Sequence, residues 1–336
     1  MKKILYTIVI SILILILLFI SYSNSKLSEL PSFSDTVTVF VPKNSSVNTI
    51  VEQFNKRDML QPSWLFSNYI KIKMKLGGKS VFAGYYDIAP STANEDIIEK
   101  LFTGGYAKTI KVTIPEGLSN KETAEIIAEK LHLNADKFLE LSNSDSLLKA
   151  WNIPAKSSIG YLLPETYEFF GDESEKVVID KLLRYHFDFW TEDREQDLKA
   201  TKLTKHQLLS IASIVQAETP LKSELPTVAG LYLNRVKIGM LLQADPTVQF
   251  AVGEKKRLLH KDLEINSPYN TYKYAGIPPG PINNPGKDAI KACLDPEVHD
   301  LLYMVAYGDG SGAHYFAKTN LEHSRNVAKY KRARGR

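Results

Sequence analysis

In the segment IASIVQAETP, Ile211 to Pro220, a single carboxylate closes a run in which Leu208, Leu209, Ile211, Ala212, Ile214 and Val215 recur at helical spacing. Such a helix, from Thr204 to Glu218, must bury most of its circumference. At about 100° per residue, Glu218 projects between Ile214 and Ile211, where water cannot fully solvate it. Pro220 biases Thr219 out of the helical region, so the helix ends near Glu218 and turns its negative dipole end towards the carboxylate. Both effects raise a carboxyl pKa and favour a proton donor. The competing reading is a carboxylate hydrogen-bonded to lysines at the helix end. Gln216, two residues earlier, points to another side and cannot ionise.

Two downstream segments add groups that bind sugars through hydroxyls, acetamides and apolar ring faces. Gln243, Asp245 and Thr247 stand in QADPT, and Tyr269, Asn270, Thr271 and Tyr272 in SPYNTY; Asn284 follows. Tyr161 and Glu165 stand in GYLLPETY, whose aromatics, Pro and Gly suit a loop shaping a groove. Ordinary turns are the competing reading, since Asn, Pro, Asp and Thr are standard turn residues. Other chemistries lack their patterns. Gly77-Gly78-Lys79-Ser80 follows Lys73 where a phosphate loop needs its first glycine, and Gly308 to Gly312 has no dinucleotide-binding context. No HExxH, Cys/His cluster or Gly-x-Ser-x-Gly elbow occurs, so neither metal nor cofactor is expected.

The elements that must position these residues begin with an apolar run, Ile4 to Ile20, behind Lys2 and Lys3. Its length reaches the roughly 17 to 25 residues of a membrane-spanning helix. The positive-inside rule then puts residues 1–3 in the cytoplasm, a transmembrane helix at 4–22 and the remainder on the extracytoplasmic side. A cleaved signal peptide is the rival reading. Residues 23–35, rich in Ser, read as a tether.

TVTVFV (Thr36 to Val41) predicts a strand, followed by helices at Val47 to Phe54 and Trp64 to Met74, a strand at Ala83 to Ile88 and a helix opened by a Thr92-x-x-Glu95 capping box. A second strand, Thr109 to Ile114, leads to the box Ser119-x-x-Glu122 and a helix to Leu131; another helix is expected from Pro226 to Lys237. Residues 242–284 read as a long irregular, functional segment. With 336 residues and 44% hydrophobic content the chain has more than one lobe. Lys+Arg number 42 against 38 Asp+Glu, with much of the excess at the termini, so no nucleic-acid face is implied. The one cysteine, Cys293, excludes an internal disulfide.

IASIVQAET, LNRVKIGMLLQADPTVQ, SPYNTYKYAGIPPGPINNPG and HYFAKTNLEH, in this order, with GYLLPETYEF before them, closely resemble the MltG (YceG-like) family of endolytic murein transglycosylases. The resemblance implies an α+β chain with one amino-terminal transmembrane helix, a small LysM-like α+β domain at 36–105 and a mixed α/β catalytic domain at 106–336, divided into a supporting lobe (106–200) and a catalytic core (201–336). It implies cleavage of the β-1,4 bond between N-acetylmuramic acid and N-acetylglucosamine in nascent peptidoglycan strands, leaving 1,6-anhydro ends, with Glu218 as the catalytic carboxylate. The implied place is the cytoplasmic membrane, with the catalytic domain outside it and peptidoglycan synthases as candidate partners. Two other functions stay open: a hydrolase using Asp245 as a second carboxylate, and a noncatalytic glycan-binding scaffold.

Overall fold

The computed structural model describes residues 2–42, 45–105, 109–170 and 173–335. The chain is a mixed α+β protein that divides into two compact units, one running from the amino terminus to Thr109, the other from Ile110 to Phe169 and from Glu173 onward. The boundary expected at residue 106 lies outside the described residues.

The first unit opens with helix α1 (Lys2–Leu27), whose long apolar stretch has no buried residue. Strand β1 (Val37–Val41), helices α2 (Val47–Asn55) and α3 (Ser63–Gly77), strand β2 (Gly84–Ile88) and helix α4 (Asn94–Thr103) follow. β1 pairs antiparallel with β2, Val39 opposite Tyr86, and alternate residues Val39, Val41, Tyr86 and Ile88 turn inward onto Val51, Phe54, Phe66, Ile70 and Leu101.

Two expectations are corrected here. α1 does not give way to a tether at residue 23: no Pro or Gly interrupts Ser21 to Lys26, the helix continues, and Leu27 joins the core of the first unit. Helix α4 does not open on a Thr92 capping box; Ala93 is its N-cap, without a side-chain bond. The adjacent Asn94 is spent on tertiary links instead. Its Oδ1 accepts from the Leu60 amide (3.2 Å) and its Nδ2 donates to the Lys26 carbonyl (3.0 Å), while its backbone N–H bonds to the Glu29 carbonyl (3.1 Å).

Apart from the end residues Thr109 and Phe170, the second unit contains β3 (Thr109–Thr113), α5 (Asn120–Leu131), α6 (Ala135–Ser142), α7 (Asp145–Ala150), β4 (Thr166–Phe170), α8 (Glu175–Phe189), α9 (Glu192–Thr201), α10 (Lys205–Glu218), α11 (Leu225–Lys237), α12 (Asp245–Val252), α13 (Lys287–Leu294), β5 (Tyr303–Ala306), β6 (His314–Ala317) and α14 (Asn320–Ala333). β3 pairs with β4, and β5 with β6 in antiparallel register. The Ser119–Glu122 box forms as read, both of its reciprocal bonds present. A single apolar core extends from Val112 on β3 to Leu294 on α13, so side chains on both sides of residue 200 share it. α10 lies inside that core: every residue from Leu208 to Val215 is buried. The segment 242–284, read as irregular, encloses α12, whose proline at the first turn and left-handed Gly253 at its end are ordinary helix start and stop signals.

Candidate active site

α10 brings Glu218 to the surface of the second unit at its last residue; Thr219 then adopts extended backbone (φ −133°) ahead of Pro220. The carboxylate is half-buried. Its Oε1 accepts from the hydroxyl of Tyr232, 2.6 Å away on the core side of α11. Burial, partly offset by that bond, pushes the Glu218 pKa up to about 7. The negative charge of Asp245 raises it further, whereas His314 and Arg235 draw it down. Burial also raises Tyr232 well above a normal phenol, with the Glu218 charge adding to it, so Tyr232 stays a hydrogen-bond donor.

The remaining walls come from α11, α12 and β6. Arg235 on α11 is buried, its Nε donating to the Leu302 carbonyl (2.7 Å) and Nη1 to the Leu242 carbonyl (2.5 Å). Asp245 opens α12 and accepts from the Tyr272 hydroxyl at 2.6 Å. His314 opens β6, and its Nδ1 lies 2.8 Å from Glu224, which also accepts from the His314 backbone N–H (2.8 Å) and from the Thr219 hydroxyl (3.0 Å). The residue directly after Glu218 is thus tied to the group that holds the imidazole. Gly312 presses on Pro220 so closely that a Cβ there would sit 2.8 Å from the proline Cγ.

Alongside the end of α10 runs a groove of about 730 Å³, lined by Glu116, Gln216, Ala217, Pro246, Phe250 and Asn283, among others. Gln216 is anchored in its wall, with Oε1 accepting from the Gly286 amide at 2.9 Å. Ser213 of α10 ties down the opposite lip: its Oγ accepts from Ile282 N (3.0 Å) and its carbonyl from Asn283 Nδ2 (2.8 Å).

The residues expected to line a sugar site divide into two groups. Asp245 and Tyr272 lie near Glu218, Gln243 is exposed at the start of the same loop, and Tyr269 is half-buried against Phe250 (ring centroids 4.7 Å apart). Five others are buried and point their polar atoms inward. Asn270 donates to the Leu263 and Ile265 carbonyls, at 2.8 and 2.9 Å. Thr247 and Thr271 bond each other at 2.9 Å. Asn284 accepts from the amides of Gly160 (2.7 Å) and Leu162 (3.3 Å) and donates to Leu118 O and Asn120 Oδ1. The Tyr161 hydroxyl meets His206 Nδ1 at 2.9 Å. These five hold the loops in place and offer no surface, because a buried backbone amide or carbonyl needs a partner as much as a ligand does. Glu165, part-exposed, is paired with Lys287. Among the described residues no cluster of His, Cys, Asp and Glu suits a metal ion.

Sequence reasoning passed over Tyr232, Arg235, Glu224 and His314. Tyr232 and Arg235 sit on α11, where they read as one more amphipathic helix; His314 heads a segment that stood out only as a motif.

The sequence matches the YceG-like family over residues 39–329. It is 32% identical to the endolytic murein transglycosylase of Bacillus subtilis, covering 92% of this chain and 89% of that one. With the endolytic murein transglycosylase of Streptococcus pneumoniae serotype 2 it shares 30% identity over 88% of its own length, spanning 58% of that longer protein. The crystal structure of a yceG-like protein from Listeria monocytogenes superposes with a TM-score of 0.60 at 30% identity, covering 87% of this chain and 99% of the other. Fold, motifs and relatives coincide over nearly the whole sequence, and the chain belongs to the YceG-like family.

Proposed function

We propose that this chain is a peptidoglycan lytic transglycosylase, held by α1 as a single-pass anchor in the cytoplasmic membrane with its second unit outside. It cleaves nascent glycan strands internally at the β-1,4 bond between N-acetylmuramic acid and N-acetylglucosamine, limiting strand length in wall assembly. The observation that carries the reading is Glu218 itself, a carboxyl raised by burial to a pKa of about 7, bonded to Tyr232 and next in the chain to Ala217, which lines a groove of about 730 Å³. The relatives named as endolytic murein transglycosylases supply the reaction class. The LysM-like reading of residues 36–105 rests on the family resemblance alone.

Protonated Glu218 donates its proton to the bridging oxygen as the bond to C1 of the muramic acid breaks and the ring gains oxocarbenium character. N-acetylglucosamine leaves with that proton on its O4. The carboxylate left behind is stabilised by the Tyr232 hydroxyl and by the positive charge of Arg235. It then takes the proton from the C6 hydroxyl of the same muramic acid as that oxygen closes on C1, giving the 1,6-anhydro ring and restoring the acid. No water is consumed. Asp245 and Tyr272, bonded to each other beside Glu218, are placed to contact the sugars; Gln243 and Tyr269 extend that lining.

Purified full-length protein given uncrosslinked glycan is expected to release fragments lighter by one water than hydrolysed ends in mass spectrometry. Glu218→Gln keeps the side chain's shape but cannot donate the proton, and should lose about 10² to 10⁴ in turnover while still binding glycan. Hydrated reducing ends would make the protein a hydrolase, with Asp245 as the group to test next. Absence of cleavage by the unmodified protein would move the reading to a glycan-binding scaffold.

A further inference from the structure

The first unit carries a surface that catalysis does not use. Helix α3, SWLFSNYIKIKMKLG, has no acidic residue and presents two unlike faces. Leu65, Phe66 and Ile70 are buried. On the outward face, Trp64, Asn68, Ile72 and Leu76 follow one another every four residues, a spacing that keeps them on one stripe; Trp64, Ile72 and Leu76 are 55%, 58% and 83% exposed. Lys71 and Lys75 flank the stripe and Lys79 lies just beyond it, all exposed. Lys71 bonds only the neutral Asn48 (2.9 Å), and neither Lys75 nor Lys79 has an ion pair among the described residues.

Next to this stripe is an apolar cleft of about 300 Å³ between α3 and the last turns of α1, bordered by Phe19, Ile20 and Leu27 on one side and Trp64, Tyr69 and Ile72 on the other. Phe19 and Ile20 end the apolar run of α1, and the Phe19 ring stacks on Trp64 with centroids 6.3 Å apart. A helix that crosses a bilayer places the end of its apolar run where hydrocarbon meets headgroups. The cleft and the Trp64 ring therefore open at that depth. Water would be a poor filling for so apolar a space, and an acyl chain matches it. Tryptophan favours this interface, and a helix with apolar residues between lysines is built to lie in it.

We propose that the exposed face of α3 lies on the outer surface of the bilayer that α1 crosses, with an acyl chain in the cleft between the two helices and anionic lipid phosphates against Lys71, Lys75 and Lys79. Continuity with the apolar run of α1 selects lipid over a protein partner as the occupant. The proposal rests on the anchor reading of α1 and is independent of the chemistry at Glu218.

The test uses the full chain in lipid nanodiscs, with the emission of Trp64 taken as the difference between the native protein and Trp64→Tyr. Acyl chains brominated just below the headgroup should quench most of that emission, and aqueous acrylamide should quench little of it. Changing phosphatidylcholine discs to discs containing phosphatidylglycerol should favour the docked state, and Lys75→Glu or Lys79→Glu should remove that preference by about fivefold per lysine. Emission open to acrylamide and indifferent to bromine would overturn the proposal. So would emission shielded from both quenchers, which would mean a protein partner or a second copy on this face. An alkaline wash of liposome-bound protein separates the two readings: release means that α1 is no anchor and both fall, whereas retention with unquenched Trp64 sinks only the docking of α3.

Discussion

Helices α1 and α10 carry nearly the same message in sequence, apolar residues around the whole circumference, and meet opposite fates. From Leu208 to Val215 every side chain of α10 is buried by its neighbours, whereas the side chains from Ile4 to Ile20 of α1 are all exposed. The difference teaches that an all-round apolar helix states only that water is excluded. Length and what surrounds it decide what excludes the water: α10 has 14 residues and lies amid a large unit, while α1 has 26 and its apolar stretch is exposed. A carboxylate at the rim of the first kind of helix becomes a candidate acid, because protein groups, and not bulk water, fix its protonation.

A charge placed in the middle of each helix should separate the two environments most sharply. Ile214→Asp puts an unpaired carboxylate into the core and should destabilise the second unit by at least about 3 kcal/mol, read as a collapse of the urea midpoint. Leu13→Asp should leave that midpoint unchanged and instead cost about 3 kcal/mol of membrane insertion, read as protein lost from the membrane fraction. Equal effects of the two on folding would break the comparison.

A smaller effect concerns the rim. With the Glu218 pKa near 7, kcat/KM should fall as pH rises through that value, because the free enzyme loses its proton donor. The same shift acts on stability. The folded pKa lies above the ordinary 4.5, so the contribution is fully present below 4.5 and is lost as pH rises through about 7. Glu218→Gln should flatten that part of the stability profile. Smaller still, Tyr232→Phe removes the bond that favours the anion, and the alkaline limb of the rate profile should move to higher pH with a modest loss of turnover. A limb that stays put would remove Tyr232 from the set of groups that tune the acid.

The local elements were largely readable because caps and periodicity are written within a few residues. Ser119 and Glu122, the β-branched strand at Thr109 and the Pro220 stop all act where the sequence puts them. Of the residues read from sequence as lining a site, the structure brings Asp245 and Tyr272 beside Glu218. Asn270, Asn284, Thr247 and Thr271 look the same in sequence whether they face a ligand or an orphaned backbone group, and here they serve the backbone. Tyr232 and His314 could not be paired with Glu218 from spacing, since 14 and 96 residues of chain separate them from it and only the packing of α10, α11 and β6 brings them near.

The joint at the end of α1 gives the first unit a mechanical property. Leu27 in its core and the Asn94 bonds to Lys26 and Glu29 make α1 continuous with a folded body, without slack between them. At about 1.5 Å per residue, the 26 residues of α1 measure about 39 Å against roughly 30 Å of hydrocarbon. On the proposed anchor reading, the helix is therefore also a gauge. Each residue added to its apolar run would lift the first unit by about 1.5 Å and turn it by about 100° about the helix axis, and a thinner or thicker bilayer would be felt as tilt by the whole unit.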